Sequence, residues 1–195
     1  VDVWRCPEIS VLMGIYDKSE DISVLRRSVE SILHQTFSDF EFLICDDGSS
    51  KQVQAYLDDI AKKDPRIRLI RSGNAFLLPV KLNLCLEKAN GKYIARMDGD
   101  DFSHPDRFQQ QLDYLSGHPE VSFVGCNVNL IQNGKVVGKR CFPEYPKVRD
   151  FYMTQPYIHP TLIFRKDILK SANGYSEDKT VILCEDYDLL LRLYA

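Results

Sequence analysis

Apolar and polar positions alternate in two distinct rhythms along the first half of the chain. Glu8 to Ile15 (EISVLMGI) is an almost unbroken apolar run of strand length. Asp21 to Gln35 (DISVLRRSVESILHQ) then places apolar side chains three and four apart, which predicts an amphipathic helix with Asp21 as its N-cap. Asp39 to Ser50 (DFEFLICDDGSS) predicts a second strand that stops at acids and Gly48. The pattern repeats with a helix over Val53 to Lys63 and a strand over Arg66 to Ser72. A helix over Val80 to Gly91 follows, with Gly91 as its C′ residue, and then a strand over Lys92 to Asp98. Apolar strands alternating with amphipathic helices predict an α/β fold, with a mainly parallel sheet covered on both faces.

The second half reads differently. His104 to Leu115 (HPDRFQQQLDYL) is another helix pattern. Val121 to Phe142 predicts an antiparallel hairpin turning at Asn133-Gly134, a type I′ signal. A helix-like stretch from Tyr145 to Thr154, a strand in TLIFRK and a loop through Gly174 and Tyr175 follow. The last residues, CEDYDLLLRLYA, form an apolar-periodic helix pattern that ends without a cap, so the chain is expected to be cut from something longer. Without repeats or linkers, residues 1–195 are read as one domain, in two halves, 1–102 and 103–195.

Composition narrows the choices. The apolar fraction is 44%, the charged fraction 27% and the net charge −3, with no long basic block, so nucleic acid is not an expected partner. No signal-peptide layout opens the chain, and no apolar run reaches the ~18 residues of a membrane span. Six scattered cysteines without a C-x-x-C pair are read as reduced, buried and cytosolic rather than as disulfides or a zinc site.

The chemistry gathers at the predicted strand ends. Tyr16 and Asp17 follow the first strand, Asp46 and Asp47 the second, and Asp98, Asp100 and Asp101 the fourth. In parallel sheets ligands bind beyond these ends. Crowded carboxylates repel unless a positive charge sits nearby. A D-x-D there suits Mg²⁺ or Mn²⁺, with diphosphate oxygens completing the shell. Taken alone, the acids would also serve as helix caps or a solvated turn. An EF-hand is excluded because Gln109 stands where the bidentate Glu belongs. No G-x-G-x-x-G follows a strand, which argues against a nicotinamide site.

These stretches, with SILHQTF, DDGS, NGKYIARMDGDDFSHPDRF and the late Glu185-Asp186, resemble the family 2 glycosyltransferases from Pro7 to Tyr194. The resemblance implies the GT-A fold, a Rossmann-like sheet with a smaller hairpin in the second half. Residues 1–102 would form the nucleotide-sugar half and 103–195 the acceptor half. It implies an inverting, metal-dependent transfer from a UDP-sugar to a saccharide or lipid-linked saccharide, in polysaccharide biosynthesis. The cofactor would be Mn²⁺ or Mg²⁺. The setting would be cytoplasmic, with peripheral contact at the membrane face for a full-length form. A catalytically silent donor-binding module is the alternative. By position, Tyr16 and Asp17 would lie at the nucleotide, with Tyr16 against the base and Asp47 accepting from it. Asp98 would touch ribose or metal, Asp100 would ligate the metal, and Asp186 would be the catalytic base. Arg96 shares a strand face with Asp98 and is placed with the nucleotide-binding set. His159 and Glu185 are placed on the acceptor side, Glu185 also as a helix cap. His104 is read as a loop or cap residue, and Asp46 as structural. Lys81 and Asn83 fall where relatives carry an Arg-Asn pair, but Leu82 takes the arginine's place, so no diphosphate contact is assigned to that helix.

Overall fold

The computed structural model describes residues 6–73, 77–152 and 155–194. In chain order the strands are β1 (Ile9–Ile15), β2 (Phe40–Asp46), β3 (Ile67–Arg71), β4 (Tyr93–Arg96), β5 (Phe123–Val124), β6 (Val128–Gln132), β7 (Lys135–Arg140) and β8 (Ile163–Arg165). The helices are α1 (Ser23–Leu33), α2 (Lys51–Lys63), α3 (Leu78–Lys88), α4 (Arg107–Gly117), α5 (Val148–Phe151), α6 (Lys166–Ser171) and α7 (Glu185–Tyr194). Six strands form one sheet in the order β3-β2-β1-β4-β8-β5. The first four are parallel, and β8 runs antiparallel to both β4 and β5.

Strand alternation explains the unbroken apolar runs. Ile9, Val11 and Met13 of β1, with Phe42 and Ile44 of β2, face one core that also holds Val29 of α1, Leu57 of α2 and Phe108 of α4. Leu12, Leu43 and Cys45 point to the opposite face, against Leu82 of α3, Leu169 of α6 and Leu189 of α7. Both sides of β1, β2 and β4 are buried, so apolar residues dominate both, and the polar ones there, such as Ser10 and Glu41, are hydrogen-bonded.

The predicted mainly parallel sheet and the hairpin are both present. Asn133 (φ 50°) and Gly134 (φ 73°) make the turn between β6 and β7, as the sequence signal predicts. Several local expectations change. Residues 123–124 leave the hairpin and join the main sheet as β5, because β8 offers them an open edge. The N-cap position of α1 is Ile22; Asp21 instead accepts the Ser23 N–H at 2.9 Å, an Asx turn one residue early. The expected helix over 145–154 reduces to Val148–Phe151, and Met153 and Thr154 lie outside the described residues. Helix α3 ends at Lys88 with Ala89 extended, so Gly91 is not its C′ residue. Gly91 serves close packing instead: a Cβ there would lie 2.4 Å from the Ser10 nitrogen and 2.6 Å from the Ile9 carbonyl carbon. The six cysteines are free thiols, but Cys6, Cys141 and Cys184 are exposed rather than buried.

Candidate active site

The sheet order places the acids. β2, β1 and β4 are neighbours and parallel, so their carboxyl ends share one rim. Chain connections run outward in opposite directions from β1, which opens a crevice at the β1/β4 boundary. Tyr16 and Asp17 emerge on one side of that point and Asp98 to Asp101 on the other.

On the β1/β2 side, Tyr16 is 53% exposed, a large aromatic face offered to solvent. Two ammonium groups attend its ring, Lys18 at 4.9 Å and Lys81 at 5.9 Å from the centroid. Asp47 is buried, and its charge reaches Lys81. Asp46 is fully buried, accepts the Ser49 N–H at 3.0 Å and pairs with Arg71, which fits the structural reading. Asp17 ties the two loops together. Its backbone N–H donates to Ser49 Oγ at 3.0 Å, its carbonyl accepts from Ser50, and its carboxylate accepts the Ser19 N–H at 2.8 Å.

On the β4 side, Asp98, Asp100 and Asp101 can each bring one carboxylate oxygen within 4.8 Å of the others. Desolvation first, then the like charges of Asp98 and Asp100, pushes the Asp101 carboxyl up. Three hard oxygen donors converging under mutual repulsion fit a Mg²⁺ or Mn²⁺ ion. Arg96, almost wholly buried, pairs with Asp98 and supplies one cation from below. Beneath it, Arg107 donates to the Arg96 carbonyl at 3.3 Å and to the Pro160 carbonyl. Burial pushes the Arg107 pKa down to about 10, still charged at neutral pH.

The loop carrying these acids is braced by α1. Ser28 Oγ donates to the Asp98 carbonyl at 2.6 Å, and the Ser103 N–H donates to Ser31 Oγ at 3.0 Å. Buried Gln35 donates to Ser103 Oγ and the His104 carbonyl and accepts the Phe108 N–H at 3.1 Å. Sequence reading counted SILHQTF as a motif without giving Gln35 a task. A polar residue closing an otherwise apolar helical face was the available signal. His104 is exposed, and its Nδ1 accepts the Asp106 N–H at 3.3 Å, a local turn role.

On the acceptor side, Glu185 and Asp186 open α7, where acids favour the helix N-terminus. Asp186 is half-buried. Gln155 Nε2 donates to its Oδ2 at 2.9 Å and the Tyr187 N–H to its Oδ1 at 2.8 Å, which fixes the plane of the carboxylate. His159 is turned inward. Its Nε2 lies 2.9 Å from the Tyr175 hydroxyl, and burial, then the charge of Arg96, holds its pKa well below the usual range. Tyr175 is buried, and burial above all pushes its hydroxyl's pKa up. Asn83 anchors that tyrosine's backbone rather than facing the rim.

Comparison with known proteins settles the family. The profile of Glycosyl transferase family 2 matches residues 10–172. The chain belongs to this glycosyltransferase family. A curated relative of this family 2 domain, the O-antigen biosynthesis glycosyltransferase WbnJ of Escherichia coli, is 34% identical over 95% of the chain and 71% of its own length. Among solved structures, TarS (residues 1–349) of S. aureus in complex with UDP superposes with a TM-score of 0.74 at 21% identity, covering 96% of this chain and 55% of that one. The mannosyltransferase PcManGT of Pyrobaculum calidifontis, in complex with GDP-Man and Mn²⁺, gives 0.71 at 16% identity, covering 97% and 52%. The family 2 domain thus spans about half the length of these solved structures, which share its GT-A fold. Among the described residues no helix is long and apolar enough to cross a membrane.

Proposed function

We propose that this chain is the donor-binding and catalytic domain of an inverting, metal-dependent glycosyltransferase. It would move a sugar from a UDP-sugar to a hydroxyl of a saccharide or lipid-linked saccharide. The observation that carries this reading is the convergence of Asp98, Asp100 and Asp101 at the sheet's switch point, across from Tyr16 and Asp47. The bound nucleotides of TarS and PcManGT, and the Mn²⁺ of the latter, support it by analogy of fold.

The residues divide the work. The exposed ring of Tyr16 offers stacking to the base, and Asp47 accepts from a base N–H. Asp98, whose carboxylate pairs with Arg96 and whose carbonyl accepts from Ser28, would contact ribose or help hold the metal. Asp98, Asp100 and Asp101 would hold the Mg²⁺ or Mn²⁺ ion, which when bound neutralises charge on the diphosphate. Asp186, held by Gln155 and the Tyr187 N–H, takes the proton of the acceptor hydroxyl. The acceptor oxygen bonds to the anomeric carbon from the face opposite the leaving group. The bond from that carbon to the diphosphate breaks with its electron pair on oxygen, so configuration inverts. Buried His159 and Tyr175 serve this chemistry by holding the acceptor-side loop.

The test is calorimetric titration of UDP with Mn²⁺ and with EDTA, on the wild type and on Asp100→Ala. Metal-dependent binding that disappears in the variant is expected. Unchanged Mn²⁺-dependent binding by Asp100→Ala would overturn the reading. Donor binding without hydrolysis or transfer would favour a silent binding module.

A further inference from the structure

One buried cation on the rim has no part in the scheme above. Lys81 sits in the first turn of α3, where that helix packs against β1 and β2. It is only 6% exposed, rare for a lysine. Gly14 permits this. A Cβ at position 14 would lie 2.9 Å from the Lys81 Cβ and 3.0 Å from Leu78, so only a glycine lets the lysine stem lie against the end of β1. The stem leads the ammonium to 5.9 Å from the centre of the exposed Tyr16 ring. Burial lowers the Lys81 pKa, and the charge of Asp47, foremost among its neighbours, pulls it back up. The structure therefore sets a cation, and a carboxylate whose charge reaches it, near the exposed ring of Tyr16.

We propose that Lys81 is a specificity-determining residue that reads the nucleobase together with Asp47, selecting a base edge on which a ring N–H stands next to a carbonyl. This rests on the reading of the rim as a nucleotide-sugar site. The logic is donor against acceptor. An ammonium only donates, and an ionised carboxylate only accepts. Uracil presents a ring N–H flanked by carbonyls, so it satisfies both groups at once; guanine offers a similar N–H and carbonyl pair. Cytosine and adenine present a ring acceptor beside an amino donor, which would set acceptor against carboxylate and donor against ammonium. Such mismatches, with polar groups desolvated on both sides, give stronger discrimination than shape alone.

The experiment compares UDP with CDP, each with Mn²⁺, on the wild type and on Lys81→Met, which keeps an unbranched stem of similar length. The wild type should prefer UDP. Lys81→Met should weaken UDP by roughly ten- to a hundredfold, the size of one charged hydrogen bond, and leave CDP nearly unchanged. If UDP and CDP weaken together, the ammonium serves the diphosphate they share, and the inference is wrong. An unchanged preference overturns it as well. Lys81→Gln retains a neutral donor and should fall between the two. It carries the same test if Lys81→Met does not fold, as judged by its urea transition. Should the wild type bind no nucleotide with metal, the reading of the site fails and this inference with it. Failure of the Lys81 variants alone leaves that reading standing.

Discussion

Asn83→Ala isolates a link that joins the two halves of the molecule. The Asn83 amide donates to the Tyr175 carbonyl at 2.9 Å and accepts the Tyr175 N–H at 3.0 Å, in the manner of a strand pair. It also donates to Glu177 at 2.8 Å. Tyr175 is 2% exposed, so alanine strands two backbone groups of a buried residue. An unsatisfied buried polar group costs about 1–3 kcal/mol. Asn83 also lines a surface cavity of about 600 Å³, shared with Gly174 and Glu177, so water can reach part of the gap. The bond to exposed Glu177 adds little. The low end applies, about 2 kcal/mol in all. For a domain of this size that is about 4–8 °C in Tm. Urea unfolding should show a lower midpoint at unchanged slope. Asn83→Asp keeps the acceptor for the Tyr175 N–H, loses the donor and adds a charge near Glu177, so it should also lower stability, by about 1 kcal/mol. A loss below about 0.5 kcal/mol for Asn83→Ala, the scale of an ordinary surface substitution, would show that the loop needs no such anchor.

Two further substitutions probe the frame beneath the site. Glu41 is buried on β2; it accepts Ser10 Oγ at 2.7 Å and the Asn90 N–H at 2.6 Å, and pairs with Arg68. Burial alone would raise its pKa, but these donors outweigh burial and hold it below the ordinary 4.5. A depressed carboxylate adds stability above its unfolded pKa and loses it as pH falls through the folded value. Glu41→Gln should therefore cost about 1–3 kcal/mol at pH 7, with a gap to wild type that narrows below pH 4.5 in paired urea titrations. An equal gap at pH 7 and pH 3.5 would rule out the ionised pairing. Gly91→Ala forces a methyl to within 2.4 Å of backbone on β1, which cannot move without breaking the β1/β4 ladder. It should lose about 3 kcal/mol or more, or yield insoluble protein, and a near-native melting curve would contradict the packing.

The parts legible in the chain were those set by local pattern. Nearly unbroken apolar strands and helical spacing identified the sheet's parallel half, because strands buried on both faces accept a polar residue only where it is hydrogen-bonded or paired, as Glu41 is. Acids at three strand ends marked the rim, because parallel connections bring those ends together whatever the intervening sequence. Asn133-Gly134 identified its own turn, since few residues accept left-handed backbone. What tertiary structure alone decided were contacts between residues far apart in sequence. The insertion of β8 between β4 and β5 depends on which edges are left open. Gln35 became a brace for the acid loop, Asn83 an anchor for Tyr175, and His159 an inward partner of a tyrosine 16 residues away. Gly91 reads the same as a helix stop or as a glycine pressed on a strand until β1 is set beside it. Lys81 is an ordinary lysine in a helical pattern, and only the approach of Gly14, Tyr16 and Asp47 turns it into a buried charge. Periodicity records which face of an element is covered. It cannot record by which neighbour, and a polar side chain acquires its role from that neighbour.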